Sequence, residues 1–359
     1  MILNNSLPNL PVIPVSRAYL GLLAVILSLL ATVSVAPALA GQPAESEVNA
    51  RELLDAMTTA SRNLNYVGTF IYQRGDQTDA MEIIHKSDND GEQERLVSLT
   101  GITREVVRNN EFVTCIFPDK QHIRIDKSRP HRRLVSTQIS QPIDKLAESY
   151  DFRIAGQDRV AGRDAWIVNV LPRDQYRYGY QLWIDAKSKL LLKSELKDEN
   201  GRLQELVMFT ELEILDDIAD GRLAPTLQGI DITWQEQGTG AAIMTSTTAG
   251  QADKPDDFAN GELWQVDWMP QGFRLSEHTY EQLGDSPRSL QHLVFTDGLS
   301  MVSVFVEKLA DEDNIMIGPS NVGAVNAFAR QAEGHQVMVV GEVPQMTVRL
   351  MASSVVRQP

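Results

Sequence analysis

The chain has 359 residues, of which 43% are apolar, so it can build the hydrophobic cores of two ordinary domains and is not an intrinsically disordered protein. Its 33 basic and 48 acidic residues give a formal net charge of 33 − 48 = −15, which argues against binding of nucleic acid through the phosphate backbone.

The first 40 residues predict a signal peptide rather than part of the fold. Arg17 precedes an apolar run over residues 20–35, and Ala38-Leu39-Ala40 has the small first and third residues that signal peptidase requires. We therefore expect cleavage and a soluble, exported chain that begins at about Gly41. The alternative is an uncleaved membrane anchor, since the run is long for a signal peptide.

The one cysteine, Cys115, lies in the apolar sequence Phe112-Val-Thr-Cys-Ile-Phe117 and has no second cysteine with which to form an internal disulfide. No cysteine stands directly after Ala40, the position at which a bacterial lipoprotein carries its lipidated cysteine, so the sequence predicts no lipid anchor of that type. We interpret Cys115 as a buried filler, because a catalytic thiol would need a lowered pKa and a partner histidine.

Residues 41–237 are predicted to form a large domain that begins with a helix. Asn49 suits the N-cap, Glu52 stands three residues later, and apolar residues recur at helical spacing from Leu53 to Leu64. Aromatic and β-branched residues then predict strands at residues 65–74, 79–86, 94–99, 104–107, 111–117 and 121–126.

Five further strands are predicted between residues 151 and 214, because apolar and polar residues alternate there between short turns. They cover residues 152–160, 165–171, 178–184, 190–196 and 203–214. The first helix and a second one over residues 143–150 are expected to cover the apolar face of this sheet. The predicted fold class is α+β, mostly antiparallel β: a large half-open β-barrel domain with covering helices plus a smaller α+β domain.

The concave face of a half-open barrel either fills with side chains or leaves room for an apolar ligand. The candidate pocket residues are apolar side chains of the central strands: Leu182, Ile184, Leu190, Leu192 and Met208.

Residues 120–133 hold six basic residues against one acid, which is unusual in so acidic a chain. One interpretation is a docking site for an anionic group, such as a lipid phosphate or an acidic segment of a partner protein. The other is a solvated loop at the end of a strand. The candidate contact residues are Arg124, Lys127, Arg129, Arg132 and Arg133.

Residues 238–261 are poor in residues that could pack and are predicted to be a linker. A small α+β domain is expected over residues 262–359. Its predicted strands cover residues 273–277, 289–296, 301–308, 324–331 and 336–340, and its last element is a helix over residues 345–356. The Asp297-Gly298 and Glu333-Gly334 pairs predict hairpin turns.

No motif in the sequence predicts an enzyme. The six histidines are scattered without metal-ligand spacing, and neither a Gly-x-Ser-x-Gly elbow nor a phosphate-binding loop is present. We therefore expect no catalytic residues, no metal site and no cofactor.

Short motifs along nearly the whole mature chain resemble those of the RseB/MucB family of periplasmic regulators of extracytoplasmic sigma factors. They are Leu64-Asn-Tyr66, Arg104-Glu-Val-Val107, Tyr150-Asp-Phe152, Leu182-Trp-Ile-Asp185 with Ser188-Lys-Leu190, Trp268-Met-Pro-Gln-Gly-Phe273, Phe295-Thr-Asp-Gly298 and Gly341-Glu-Val-Pro344. Each motif is a short turn or strand signature, and their order and spacing together carry the resemblance.

The resemblance implies a periplasmic protein whose large domain is similar to the outer-membrane lipoprotein carriers. Its partner would be the periplasmic domain of a membrane-bound anti-sigma factor, which proteins of this family shield from a site-specific protease. A lipid-type signal, such as lipopolysaccharide, would release that cover. Two alternatives stay open: a periplasmic carrier of lipids or lipoproteins, and an exported hydrolase with a scattered active site. A homodimer also stays open.

Overall fold

The structure is a computed structural model that describes residues 49–110, 112–117, 122–127, 139, 141–225, 263–282, 289–309 and 315–358. For residues 112, 122–127, 281, 282 and 289 it describes the backbone alone. The predicted signal peptide, linker and domain boundary lie outside these residues. All described residues belong to one unit, Val48–Pro359.

Helix α1 (Ala50–Asn63) is the first described element, as the apolar spacing predicted. Asn49 is its N-cap, and the side-chain oxygen accepts a hydrogen bond from the backbone N–H of Arg51 at 2.9 Å. Leu53, Leu54 and Met57 are buried on one face of the helix. This face directs α1 onto the large sheet.

The large sheet has eleven antiparallel strands in the order β6-β5-β4-β3-β2-β1-β11-β10-β9-β8-β7. The prediction of two successive series of strands is confirmed. Their bounds are β1 (Asn65–Arg74), β2 (Gln77–Asp88), β3 (Gly91–Ser98), β4 (Glu105–Arg108), β5 (Phe112–Phe117), β6 (His122–Lys127), β7 (Tyr150–Val160), β8 (Arg163–Pro172), β9 (Gly179–Asp185), β10 (Leu191–Lys197) and β11 (Leu203–Leu215).

Strands β1 and β11 join the two series in the middle of the sheet. They pair along their length, from Asn65 opposite Leu215 to Arg74 opposite Glu205, with one irregularity after Thr69. The edge strands are β6 and β7, which do not pair with each other among the described residues. The sheet is therefore curled but not closed, which confirms the predicted half-open architecture.

Helix α1 packs against both halves of the curled sheet. Its first turns, including Leu54, share a cluster with β8 and β9, whereas Ala60 near its end packs with Phe70 and Phe209 of β1 and β11. Helix α2 (Ile143–Leu146) contributes to the first of these clusters and is shorter than the predicted helix over residues 143–150. The prediction that these helices cover the sheet is confirmed.

The chain after β11 turns back over β2 and β3. Ile218 and Leu223 pack against Ile84, and between them lies a 3-10 turn, Asp220–Arg222. The Lys86 ammonium donates a hydrogen bond to Asp220, which fixes this segment on the sheet.

The C-terminal domain contains a second antiparallel sheet of six strands, in the order β13-β14-β15-β18-β17-β16. Its elements are β12 (Trp264–Val266), β13 (Arg274–Gln282), β14 (Ser289–Thr296), β15 (Met301–Lys308), β16 (Gly318–Val322), β17 (Val325–Ala332), β18 (His335–Gly341), α3 (Gln345–Ser353) and β19 (Val355–Arg357). The core packs Val348 and Met351 of α3 against valines of β15 and β18.

Three details of this domain differ from the sequence prediction, namely the end of the last helix and the unpredicted strands β12 and β16. The helix predicted over residues 345–356 ends at Ser353, because residues 355–357 form β19 and pair with β12. Strand β16 was missed, since Gly318 and Pro319 are poor strand formers and the strand lies at the sheet edge, where proline is tolerated.

Candidate functional site at the domain junction

The face of the large sheet under α1 and α2 carries an apolar cluster. Leu54 and Met57 of α1, Leu146 of α2 and Val168 and Leu182 of β8 and β9 are each at most 1% exposed. Full burial of such a side chain contributes roughly 1.5–3 kcal/mol. We call this cluster the apolar interior.

The five predicted pocket residues do not lie in one place. Leu182 and Ile184 belong to the apolar interior. Leu192 and Met208 instead pack around Trp183, whose side chain points to the opposite side of β9 because neighbours in a strand alternate. Leu190 packs in a third cluster with Phe70 and Phe209. Alternation along β9 separates Trp183 from Leu182 and Ile184, but the side on which Leu190, Leu192 and Met208 lie depends on how the neighbouring strands pair.

A hairpin of the C-terminal domain reaches into the apolar interior. Residues 297–300 connect β14 to β15, and Leu299 in this turn is 9% exposed and belongs to the same cluster as Leu182. The Asp297 carboxylate shapes the turn by accepting hydrogen bonds from the backbone N–H groups of Leu299 and Ser300 at 2.9 and 2.7 Å. The hairpin predicted at Asp297-Gly298 is therefore confirmed, and it lies at the junction with the large domain.

A buried polar network surrounds this hairpin. The other oxygen of Asp297 accepts a hydrogen bond from the Tyr150 hydroxyl and one from the Arg177 guanidinium, both at 2.9 Å. Arg177 also pairs with Asp174 of its own loop and donates to the backbone carbonyl of Gln271. Neither the Arg177 nor the Asp297 side chain is exposed. Because water is excluded here, the polar atoms of the ion pair need hydrogen-bond partners within the protein. The three guanidinium nitrogens of Arg177 and both carboxylate oxygens of Asp297 have such partners.

Tyr150 stays a hydrogen-bond donor in this network. Burial, followed by the nearby Asp297 charge, raises the pKa of its hydroxyl well above the ordinary tyrosine value. Its ring also lies 5.5 Å from the Arg177 guanidinium carbon, and the Phe273 ring lies 5.2 Å from the same atom.

Turns of the C-terminal domain approach the large domain closely. A Cβ placed on Gly298, whose φ is +98°, would lie 2.8 Å from the Cβ of Gln141. Nearby, the Gln141 side-chain oxygen accepts a hydrogen bond from Arg274 at 2.6 Å. The backbone of the hairpin therefore fits against Gln141 only with glycine at this position.

A second set of contacts lies beside the first. Asn326 donates to the Tyr178 hydroxyl at 2.8 Å, and the Thr347 hydroxyl donates to the Tyr176 carbonyl at 2.8 Å. Arg74 at the end of β1 lies 3.8 Å from the carboxylate of Glu342. The two domains are thus held together by several polar contacts around one buried ion pair.

Sequence reasoning gave no role to Arg177 or Leu299. Four of the quoted motifs nevertheless meet at this junction, since Tyr150, Phe273, Asp297 and Glu342 each belong to one of them. Because these residues are far apart in the sequence, their contacts could not be predicted from it. Their membership in the family motifs was the sequence feature that marked these positions.

The structure describes the backbone of two of the five predicted basic contact residues. Arg124 and Lys127 lie on the edge strand β6, in register with Cys115 and Phe112 of β5. Arg129, Arg132 and Arg133 lie outside the described residues. The anionic docking site therefore stays a prediction.

Within the described ranges, no group of three histidine, cysteine or acidic side chains could hold a metal ion. In the same ranges, no helix has the length and apolar character needed to cross a membrane.

Comparison with known proteins covers both halves of the chain. Residues 49–227 match the model of the MucB/RseB N-terminal domain, and residues 259–356 match that of the MucB/RseB C-terminal domain. The sigma factor AlgU regulatory protein MucB of Pseudomonas aeruginosa is 32% identical over 321 residues, covering 87% of this chain and 92% of that protein. The sigma-E factor regulatory protein RseB of Haemophilus influenzae is 27% identical, covering 86% and 91%.

A solved structure shows the same architecture. The crystal structure of MucB in complex with MucA(peri) is 29% identical, superposes with a TM-score of 0.63, and covers 87% of this chain and 100% of that one. The resemblance expected from the motifs is thus confirmed over both domains in their order along the chain, and the chain belongs to the MucB/RseB family.

Proposed function

We propose that this protein is a non-enzymatic negative regulator of envelope-stress signalling that binds the periplasmic domain of a membrane-bound anti-sigma factor. The observation that carries the proposal is the likeness of the whole two-domain architecture to MucB in complex with MucA(peri). The names of the relatives, which are regulatory proteins of sigma factors, support the same conclusion. The protein would act in the periplasm after removal of the signal peptide.

Bound to its partner, the protein shields a cleavage site from regulated proteolysis, and a lipid-type signal releases the shield. The apolar interior supports this second part, because it is a helix-covered cluster of apolar side chains next to the domain junction. Ligand and partner are then linked, since each favours a different state of the protein.

The test begins with the purified, tagged protein and solubilised membranes of the source organism. We expect recovery of a single-span membrane protein with a cytoplasmic sigma-binding end, and slower cleavage of its purified periplasmic segment by the regulated protease when our protein is added. A denatured and dialysed sample of the same protein is the control. Recovery of no such membrane protein, or equal cleavage rates, contradicts the proposal.

A second candidate is a periplasmic carrier of lipids or lipoproteins, which the apolar interior also supports. Transfer of a fluorescent phospholipid between two vesicle populations measures this activity. A carrier accelerates the transfer catalytically, whereas a regulator binds the lipid without moving it from donor to acceptor vesicles.

A further inference from the structure

One edge of the C-terminal sheet exposes a group of apolar side chains. Eleven large apolar side chains are exposed in the described part of the chain, and four of them lie within residues 315–322. They are Ile315, Met316, Ile317 and Val322, which are between 44% and 75% exposed. We call these four residues the edge patch. Neighbouring apolar side chains that stay exposed in a folded domain often mark a site of protein interaction.

The edge patch is held in a defined shape. The backbone N–H of Met316 donates to the side-chain oxygen of Gln336 at 3.0 Å, and the Met316 carbonyl accepts from the Gln336 amide nitrogen at 2.9 Å. The Gln336 side chain is buried, and Val322 lies in β16, which pairs with β17 along its whole length. The patch is therefore an ordered surface, which loses little conformational entropy when it binds a partner.

The edge strand β16 lacks the charges that protect the other edges. Residues 315–325 contain no charged side chain. By contrast, the edge strand β7 exposes Arg153, Asp158 and Arg159, and the edge strand β13 carries Glu277. Charged side chains on an edge strand oppose association with another chain. Among these edges, β16 is the one that is open to an apolar contact.

The contact is expected to involve side chains rather than an added β-strand. Pro319 lies in the middle of β16 and has no backbone N–H. Proline is tolerated in an edge strand where the missing N–H faces solvent, so β16 offers an incomplete set of donors to an added strand. The exposed apolar side chains of the edge patch remain as the source of binding energy.

One end of the edge patch adjoins the large domain. Gly323 follows Val322 and packs so closely on the Arg74 side chain that a Cβ on Gly323 would collide with it. The Arg74 guanidinium in turn lies 3.4 Å from the carboxylate of Glu205 and 3.8 Å from that of Glu342, whose side chain is 41% exposed. A molecule that covers the patch therefore reaches the domain junction and meets acidic side chains there.

We propose that the edge patch is a docking surface for a segment of the anti-sigma partner that carries apolar side chains flanked by lysine or arginine. Charge decides between the possible occupants. A second copy of this chain or an anionic membrane surface would bring negative charge to a protein of net charge −15, whereas a basic segment is attracted to it. This inference rests on the proposed function and names the surface through which the partner is held.

The first experiment removes the apolar contact in the full-length protein. Ile317→Ser/Val322→Ser changes two exposed side chains, so the thermal unfolding should stay close to that of the wild type. Leu275→Ser is the matched control, because Leu275 is 49% exposed on β13, at the opposite edge of the same sheet. The probe is the purified periplasmic segment of the membrane protein recovered by capture, and calorimetry measures its affinity. We expect binding to weaken about tenfold or more in the double variant and about twofold at most in the control.

Each other outcome contradicts the inference in its own way. Equal affinities of the wild type and the double variant overturn the docking surface and leave the proposed regulator supported. Absence of binding by the wild type overturns the proposed function and this inference with it. A wild-type dimer that the double substitution dissociates in sedimentation would assign the patch to a second copy, and loss of binding to phosphatidylglycerol vesicles would assign it to a membrane.

A second experiment tests the charge of the occupant. Val322→Glu and Val322→Lys place opposite charges at the same exposed position. With a basic occupant, Val322→Glu should bind the periplasmic segment about fivefold or more tightly than Val322→Lys at low salt, and the difference should shrink as salt is added. Equal affinities of the two variants, or tighter binding by Val322→Lys, would overturn the basic character of the segment.

A third experiment detects the contact directly. Ile317→Cys with Cys115→Ser is labelled with a fluorophore whose emission shifts to the blue in an apolar environment, and Leu275→Cys with Cys115→Ser is the control. Addition of the periplasmic segment should shift the emission of the label at position 317 and leave that at position 275 unchanged. A label at position 317 that stays in water at saturating segment overturns the inference.

Discussion

Arg177 and Asp297 form an ion pair 2.9 Å long that joins the large domain to the C-terminal domain, and neither side chain is exposed to solvent. The attraction between two charges is strong in such a setting, but so is the penalty for removing them from water. The pair therefore specifies one docked arrangement more than it adds net stability. Removal of only one of the two side chains should therefore cause a large loss of stability.

Arg177→Ala is expected to destabilise the docked protein by roughly 3–5 kcal/mol, because it leaves the Asp297 carboxylate buried and unpaired. Arg173→Ala is the matched control in the same loop. Its pair with Asp151 is 2.8 Å long but both side chains are more than 40% exposed, so a loss of about 0–1 kcal/mol is expected. Denaturant unfolding of both variants measures the difference. Equal losses of stability in the two variants would show that the buried Arg177–Asp297 pair contributes no more than the exposed Arg173–Asp151 pair.

Gly298→Ala is expected to disturb docking through its contact with Gln141. Besides the strain of a left-handed backbone, the new methyl group would lie within 2.8 Å of that side chain. Gly334→Ala is the control, since its φ is +76° and nothing lies within 4 Å of its Cβ position. We expect Gly298→Ala to lose roughly 1–3 kcal/mol more than the control in denaturant unfolding. Rescue by Gln141→Gly, which removes the Cβ together with the rest of the side chain, would identify the collision as the cause.

Leu182→Ala and Leu192→Ala separate the two faces of the central strands. Both leucines are 0% exposed, so each substitution should destabilise the protein by roughly 2–5 kcal/mol. Leu182 belongs to the apolar interior and Leu192 does not, so only Leu182→Ala should weaken binding of a fluorescent phospholipid, by roughly five- to thirtyfold for the methylenes lost. A weaker affinity in Leu192→Ala instead would place the ligand on the Trp183 side.

Stability is expected to fall with rising pH above about 10. Burial raises the pKa of Tyr150 and Tyr180 well above the ordinary value, and that of Tyr280 to about 12. Above about pH 10 the unfolded chain releases these phenolic protons while the folded chain keeps them, so the unfolded state gains stability. Each protected tyrosine can lower stability by up to about 1.4 kcal/mol per pH unit. Tyr150→Phe should show a shallower slope in denaturant unfolding than the wild type; identical slopes would contradict the contribution of Tyr150.

Substitution of Arg129, Arg132 and Arg133 by serine tests the predicted anionic docking site. We expect weaker binding to vesicles that contain anionic phospholipid, or to the anti-sigma segment, and a weaker salt dependence of that binding. Serine at Arg153, Arg159 and Arg202, which are exposed elsewhere on the large domain, removes the same charge and is the control. If the variant with serine at Arg129, Arg132 and Arg133 binds both ligands as the wild type does, the docking interpretation is wrong and the segment is a solvated loop.

The strands could be predicted from the sequence because their signal is local. Alternation in residues such as 178–185, and turn pairs such as Glu333-Gly334, depend only on neighbours in the chain. The junction could not be predicted in this way. Arg177 lies in the polar sequence Arg173-Asp-Gln-Tyr-Arg177, which has the composition of a surface loop, and its burial depends on Asp297 of the other domain.

The same limit explains the pocket residues and the end of the chain. Leu182 and Leu192 have equal apolarity, and the register that places Leu191 opposite Ile184 turns Leu192 to the other face of the sheet, where Trp183 lies. Residues 355–357 end as a strand because β12 offers them a partner. Tertiary pairing decided both outcomes.

The pairing of β1 with β11 constrains the order in which the large domain can fold. During synthesis, β1 and its hairpin partners emerge long before Leu215, so one edge of the first series of strands is exposed until the last strand arrives. Such non-local pairing slows folding and leaves an edge open to aggregation. A chaperone that covers the unpaired edge of β1 would therefore raise the yield of this protein more than one that acts on the C-terminal domain.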